Sequence, residues 1–177
     1  MRALAACLFV ASLAIQSCED ERASEQDARR AQEQAGVQLY WLGESYDGLP
    51  LSEVWAADQP GAGRAHFIYG ECDGESEGID DFHCTKPQIQ IQHFPFEAKS
   101  WKRASGCRTL PTLRGVPTLR HDGLVLVTAG GIVKIYGRRA REDDEIARAL
   151  MPLGKRRASR LPPPSATQRE LVAQACP

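Results

Sequence analysis

The stretch from Phe67 to Phe94 constrains the fold most. It reads as a strand (Phe-Ile-Tyr), Cys72, a polar loop, Cys84, and a second strand (Gln-Ile-Gln-Ile-Gln-His-Phe). In the second strand Ile89, Ile91 and His93 share one face, while Gln88, Gln90 and Gln92 take the other. Such alternation describes a half-buried strand in an antiparallel sheet, with a solvated glutamine side. Only the loop joins this strand to the one at Phe67, so the two should run antiparallel. The glutamine row, Gln88, Gln90 and Gln92, is the candidate ligand surface.

The strand pattern continues on both sides. Val37 to Leu42, Leu49 to Ala56 and Arg64 to Tyr69 are expected strands, with Pro50 at the start of the second, where a missing N–H is tolerated. Further on, Gly115–Arg120, Leu124–Thr128 and Ile132–Tyr136 are linked by His-Asp-Gly and Ala-Gly-Gly, which are hairpin signals. Residues 97–112 show no clear period. Arg141 through about Leu150 reads as a helix with carboxylates in its first turn, matched to the positive end of the dipole. The expected class is therefore α+β: a single small domain with a mainly antiparallel meander and one C-terminal helix, stabilised by disulfides. A chain of 177 residues, 42% hydrophobic and 25% charged, can bury one core. A net charge of −1 argues against a nucleic-acid partner held by bulk positive field.

The N-terminus carries an address. Arg2 precedes an apolar run from Leu4 to Ile15, too short for a membrane span and suited to a signal peptide. The run closes on Ile15-Gln16-Ser17-Cys18, which resembles the bacterial lipobox. That resemblance implies cleavage before Cys18, lipid on its sulfur and anchoring to the bilayer on the extracytoplasmic side; if it fails, the expectation is a secreted protein. The expected organisation is a signal peptide over 1–17, a polar tether over 18–36, an α+β domain over 37–153 and a Pro-rich tail over 154–177 pinned by Cys176. The tether is rich in helix formers and can be helical in part, but it lacks an apolar stripe, so nothing in it is expected to dock against a core.

Six cysteines are present. With Cys7 in the signal and Cys18 lipidated, Cys72, Cys84, Cys107 and Cys176 remain for two disulfides in an oxidising compartment, with three possible connectivities. The preferred pairing is Cys72–Cys84 and Cys107–Cys176. The first closes a short loop, adding about 3 kcal/mol in the chain-entropy model. A structural zinc on Cys72, His83, Cys84 and Cys107 is disfavoured, because no C-x2-C knuckle occurs and His83 and Cys84 are adjacent.

Other candidates read more simply as surface or core. The acidic loop from Glu71 to Asp81 offers oxygens for calcium, but its spacing does not match an EF-hand, and a solvated loop is preferred. Arg138, Arg139, Arg141, Lys155, Arg156, Arg157 and Arg160 form a basic cluster interrupted by Glu142–Glu145, read as a solvated face in preference to a contact with anionic lipid or polyanions. His93 is expected to be a partly buried, hydrogen-bonded core histidine, and His66 a surface or inter-strand residue. Nothing in the chain marks a catalytic residue, a metal site or a cofactor.

Two family resemblances bear on function. Arg114-Gly-Val-Pro-Thr-Leu, followed by a hairpin and a helix, looks like the second half of a thioredoxin domain. That implies a thiol–disulfide role in which Cys107 or Cys72 would act, although the chain has no C-x-x-C. More broadly, Tyr40-Trp-Leu-Gly, Gly48-Leu-Pro-Leu, the Phe67-Ile-Tyr-Gly-x-Cys block, the Gln-Ile-Gln-Ile strand, Arg114-Gly-Val-Pro and Leu-Pro-Pro-Pro…Cys together resemble uncharacterised bacterial lipoproteins and secreted proteins. This second resemblance implies an envelope address and a fold but no reaction. The leading expectation for function is a non-enzymatic binding or envelope-interaction module, with an unknown protein or small molecule as partner; the alternative is an envelope protein of thioredoxin-like fold with thiol–disulfide activity.

Overall fold

The computed structural model describes residues 22–71, 88–96 and 107–176. In chain order the elements are α1 (Glu25–Ala35), β1 (Tyr40–Trp41), β2 (Ser45–Tyr46), β3 (Leu49–Ala56), β4 (Ala65–Tyr69), β5 (Ile89–Phe94), β6 (Arg108–Leu113), β7 (Val116–Arg120), β8 (Leu124–Thr128), β9 (Gly131–Tyr136), α2 (Asp143–Ala149), β10 (Met151–Pro152) and α3 (Ala166–Ala175). Eight strands form one sheet in the order β2-β3-β4-β5-β9-β8-β7-β6, and β1 pairs with β10 in a small second sheet. Every pairing is antiparallel, including β4 with β5, as the alternation predicts. The expected α+β class with its meander is what the chain adopts. No helix among the described residues is long and apolar enough to cross a membrane.

The main core lies on one face of the sheet, where Leu51, Phe67, Tyr69, Ile89, Ile91, Leu126 and Ile135 are fully buried. It is closed from outside by α1, by the segment around Tyr40, and by Ile146, Ala147 and Leu150 of the α2 region. A smaller core on the opposite face joins Leu119, Val125, Val127 and Ile132 to Val172 of α3 and Cys176. β8 is buried at all five positions because both its faces are covered, which accounts for its unbroken apolar run Leu-Val-Leu-Val.

The expectation that nothing in residues 18–36 docks against a core is corrected by α1. Ser24 caps this helix and forms a capping box with Asp27. Ala28, Ala31 and Ala35 are buried against the sheet at helical spacing. Alanine adds little hydrophobic signal, yet its small side chain lets a helix approach closely. The far end is tied as well: the orphan carbonyls of Gln34 and Ala35 accept from the amides of Gly61 and Gly63 at 2.7 and 3.0 Å. Gly36 ends the helix at φ 70°, and a Cβ there would sit 3.1 Å from the Gly61 Cα, so both left-handed geometry and close approach require glycine.

Three further differences have local causes. Residues 97–112 were expected to be irregular, yet β6 occupies Arg108–Leu113. It is an exposed edge strand carrying Pro111 and a register shift between Leu110 and Leu113, where a missing ladder donor does no harm. The expected strand Val37–Leu42 shrinks to Tyr40–Trp41. The C-terminal stretch beyond Pro164 forms a second capped helix, α3, with Ser165 and Gln168 making a capping box. The helix expected from Arg141 is found as α2, where buried Asp143 accepts from the Gly137 amide at 2.8 Å and pairs with Arg120.

Cys107 and Cys176 form the expected disulfide, with Cα atoms 5.4 Å apart. It ties the end of α3 to the start of β6, and the Thr109 hydroxyl donates to the Cys176 carbonyl at 2.9 Å beside it. Cys18, Cys72 and Cys84 lie outside the described residues, as do His83 and most of the acidic loop.

Two measurements check this packing. Ala28→Leu should cost about 1–3 kcal/mol in urea unfolding through overpacking, while a change at exposed Gln26 stays within about 0.5 kcal/mol. A free tether would make the two variants equivalent. Replacing Cys107 and Cys176 together by serine should lower stability by about 2–4 kcal/mol, given a loop spanning 69 residues.

Candidate functional site

β5 lies near the middle of the sheet, between β4 and β9, and places its glutamines against side chains of both neighbours. Gln92 faces His66 on one side and Lys134 on the other; Gln90 faces Ile68 and Tyr136. Trp55 of β3 lies beyond His66 in the same row. Gln90 and Gln92 are half-buried. Gln88 is not part of this surface: it is buried, and its amide donates to the Glu71 carbonyl at 2.7 Å. Its position just before β5 turns it into a fastening for the end of β4.

The row is polar and aromatic. The Lys134 ammonium lies 4.7 Å from the Tyr136 ring centroid and 3.5 Å from Asp122. Burial lowers His66 to about 4, against an opposing hydrogen bond with Gln90. His66 is thus neutral at pH 7. Amide groups, aromatic faces and one ammonium suit recognition by hydrogen bonding and stacking. Lys134, Tyr136 and Trp55 were not singled out from the sequence. The signal for the first two was the alternation of β9, where Lys134 and Tyr136 interleave with buried Val133 and Ile135.

On the opposite face His93 is the core histidine expected from the alternation. It is buried, stacked on Tyr40 with centroids 6.2 Å apart and edge-on to Phe67. Its Nε2 is 2.8 Å from the Tyr40 carbonyl and 3.3 Å from the Tyr40 amide. Donation from Nε2–H to the carbonyl fits the shorter distance. Burial lowers His93 to about 4, a shift its bond to Tyr40 resists.

The basic cluster is split by the fold. Arg138 pairs with Asp47 and Glu142, and Arg139 and Arg141 are exposed. Lys155, Arg156, Arg157 and Arg160 lie in the segment after β10. Among the described residues no group of three or more His, Cys, Asp or Glu is placed to hold a metal ion, and Cys107, one ligand of the zinc alternative, is in a disulfide. In the stretch resembling thioredoxin, Pro117 sits within β7, flanked by β6 and β8. Comparisons with family models, with curated proteins and with solved structures find no match.

His93 sets a pH dependence. A histidine whose folded pKa is lowered from 6.5 to about 4 contributes stability that is complete above 6.5 and lost as pH falls toward 4. The loss is on the order of 3 kcal/mol. His66 adds to the same window. His93→Gln keeps a donor for the Tyr40 carbonyl but cannot titrate. Urea unfolding between pH 7 and pH 4 should therefore show a shallower fall for His93→Gln than for the parent; equal slopes would deny His93 this role.

Proposed function

We propose that this chain is a lipoprotein anchored on the extracytoplasmic side of a bacterial membrane through lipid on Cys18, where it serves as a non-enzymatic binding or envelope-interaction module. The observation that carries this reading is the Cys107–Cys176 disulfide, which ties the C-terminal helix to the sheet and suits an oxidising compartment. It agrees with the signal-like N-terminus and with the lipobox resemblance ending at Cys18. The binding surface is the row of Gln90 and Gln92 with Trp55, Lys134 and Tyr136, whose side chains offer hydrogen bonds and aromatic faces.

The test is peptide-mapping mass spectrometry, without reduction, on protein taken from its own membranes after alkylation of free thiols. The expected result is a lipid mass on an N-terminal peptide beginning at Cys18, with Cys107 crosslinked to Cys176 and Cys72 to Cys84. An unmodified Cys18 would end the anchored reading. Alkylation at Cys107 would instead direct attention to thiol chemistry.

A further inference from the structure

The hairpin from β6 to β7 turns on Arg114 and Gly115, which lie between the paired residues Leu113 and Val116. Both central residues have positive φ, 52° and 81°, as a type I′ turn demands. Asparagine, aspartate or glycine is the usual first residue of such a turn, and an arginine held there costs about 1 kcal/mol or more in backbone strain. Its side chain shows what the strained position achieves. One terminal nitrogen of the guanidinium donates to the carbonyls of Ala147 and Leu150, at 3.2 and 2.6 Å, and the other to the carbonyl of Ala158. Arg114 thus joins the end of α2 to the loop that follows β10.

These bonds gather like charges. Arg157 donates to the Arg148 carbonyl at 2.6 Å, and Arg114, Arg148, Arg157, Ala158 and Ser159 line an open cleft of about 440 Å³. The Arg160 stem packs over Gly115 of the same turn, 3.7 Å from where a Cβ would sit. Among the described residues none of these four arginines has a carboxylate within ion-pair distance. The bonds that hold Arg114 go to carbonyls, two of them at the C-terminal end of α2, and to no carboxylate; its Nε–H and its remaining terminal N–H donate to no described residue. Burial, then the nearby Arg157, hold Arg114 below its ordinary value, because a buried guanidinium beside a second cation is disfavoured in its charged form. Guanidinium groups present planar, paired N–H donors that match phosphate oxygens.

We propose that the Arg114–Arg148–Arg157 cleft binds a phosphate group carrying two negative charges, borne either by a soluble phosphate compound or by a lipid headgroup. The site depends neither on the glutamine row nor on lipid at Cys18.

The experiment is calorimetric titration of the full chain in non-ionic detergent with two separate probes: inorganic pyrophosphate, and dihexanoyl phosphatidic acid below its micelle-forming concentration. Arg148 makes no side-chain bond among the described residues, so Arg148→Glu preserves the fold, as circular dichroism would verify; Arg157→Gln is the second variant. Saturable binding of either probe, weakened tenfold or more by Arg148→Glu and at least severalfold by Arg157→Gln, is the expected result. Pyrophosphate alone would identify a soluble ligand, and the lipid alone a headgroup. The proposal is overturned if neither probe saturates. It is overturned equally if Arg139→Gln with Arg141→Gln, exposed and outside the cleft, weakens binding as much as Arg148→Glu does.

Discussion

The contact between His93 and the Tyr40 backbone organises one whole side of the molecule. Residues 39–42 cross the sheet as a buried strap, Leu39 through Leu42, with only two positions in a ladder. A buried backbone needs partners for every N–H and C=O. Here they come from other sources: Gln32 for the Leu39 amide, Leu153 for the Leu39 carbonyl, His93 for Tyr40, and the Tyr69 hydroxyl for the Leu42 amide at 2.9 Å. The strap roofs the main core and carries Tyr40 onto the His93 ring. A charged imidazole would keep that donation but would lie out of reach of water, and this cost of burial is what holds the histidine neutral.

Around that roof the sheet is finished differently on its two faces. One is sealed by α1, the strap and α2; the other is sealed toward one end by α3 and the Cys107–Cys176 bridge. The polar row of β4, β5 and β9 lies on this second face, in register with the strands and held by their ladders. Side chains on rigid strands lose little freedom when they meet a partner, so such a surface is suited to recognition. The arginine cleft is built differently, from a strained turn and helix-end carbonyls, and it concentrates charge where the polar row spreads hydrogen bonds.

Apart from β6, the strands between Leu49 and Tyr136 were legible because period-two alternation and glycine turns act locally, and local signals survive folding unchanged. What was not legible depended on distant partners. The stripe of Ala28, Ala31 and Ala35 reads as polar sequence until a sheet is close enough to need small residues. β6 hides behind Pro111 and charged neighbours because an edge strand need satisfy only one side. Val37–Leu42 reads as a strand since its residues are strand formers, but most of its hydrogen bonds go to side chains and to the backbone at Leu153 in place of a continuous ladder. Gln88 shows the same limit at the candidate surface: alternation gives its parity, and only the Glu71 carbonyl explains its burial. Arg114 had a faint local trace, an Arg-Gly pair where Asn-Gly would be ordinary.

The docking of α1 also fixes how far this body can stray. Given the proposed anchor, only six residue steps separate Cys18 from the helix cap at Ser24. Even fully drawn out they reach about 20 Å. With lipid on Cys18, as proposed, a leash of that length would hold the domain at the bilayer surface, so that its encounters would be confined to a thin layer and proceed by lateral diffusion in the plane.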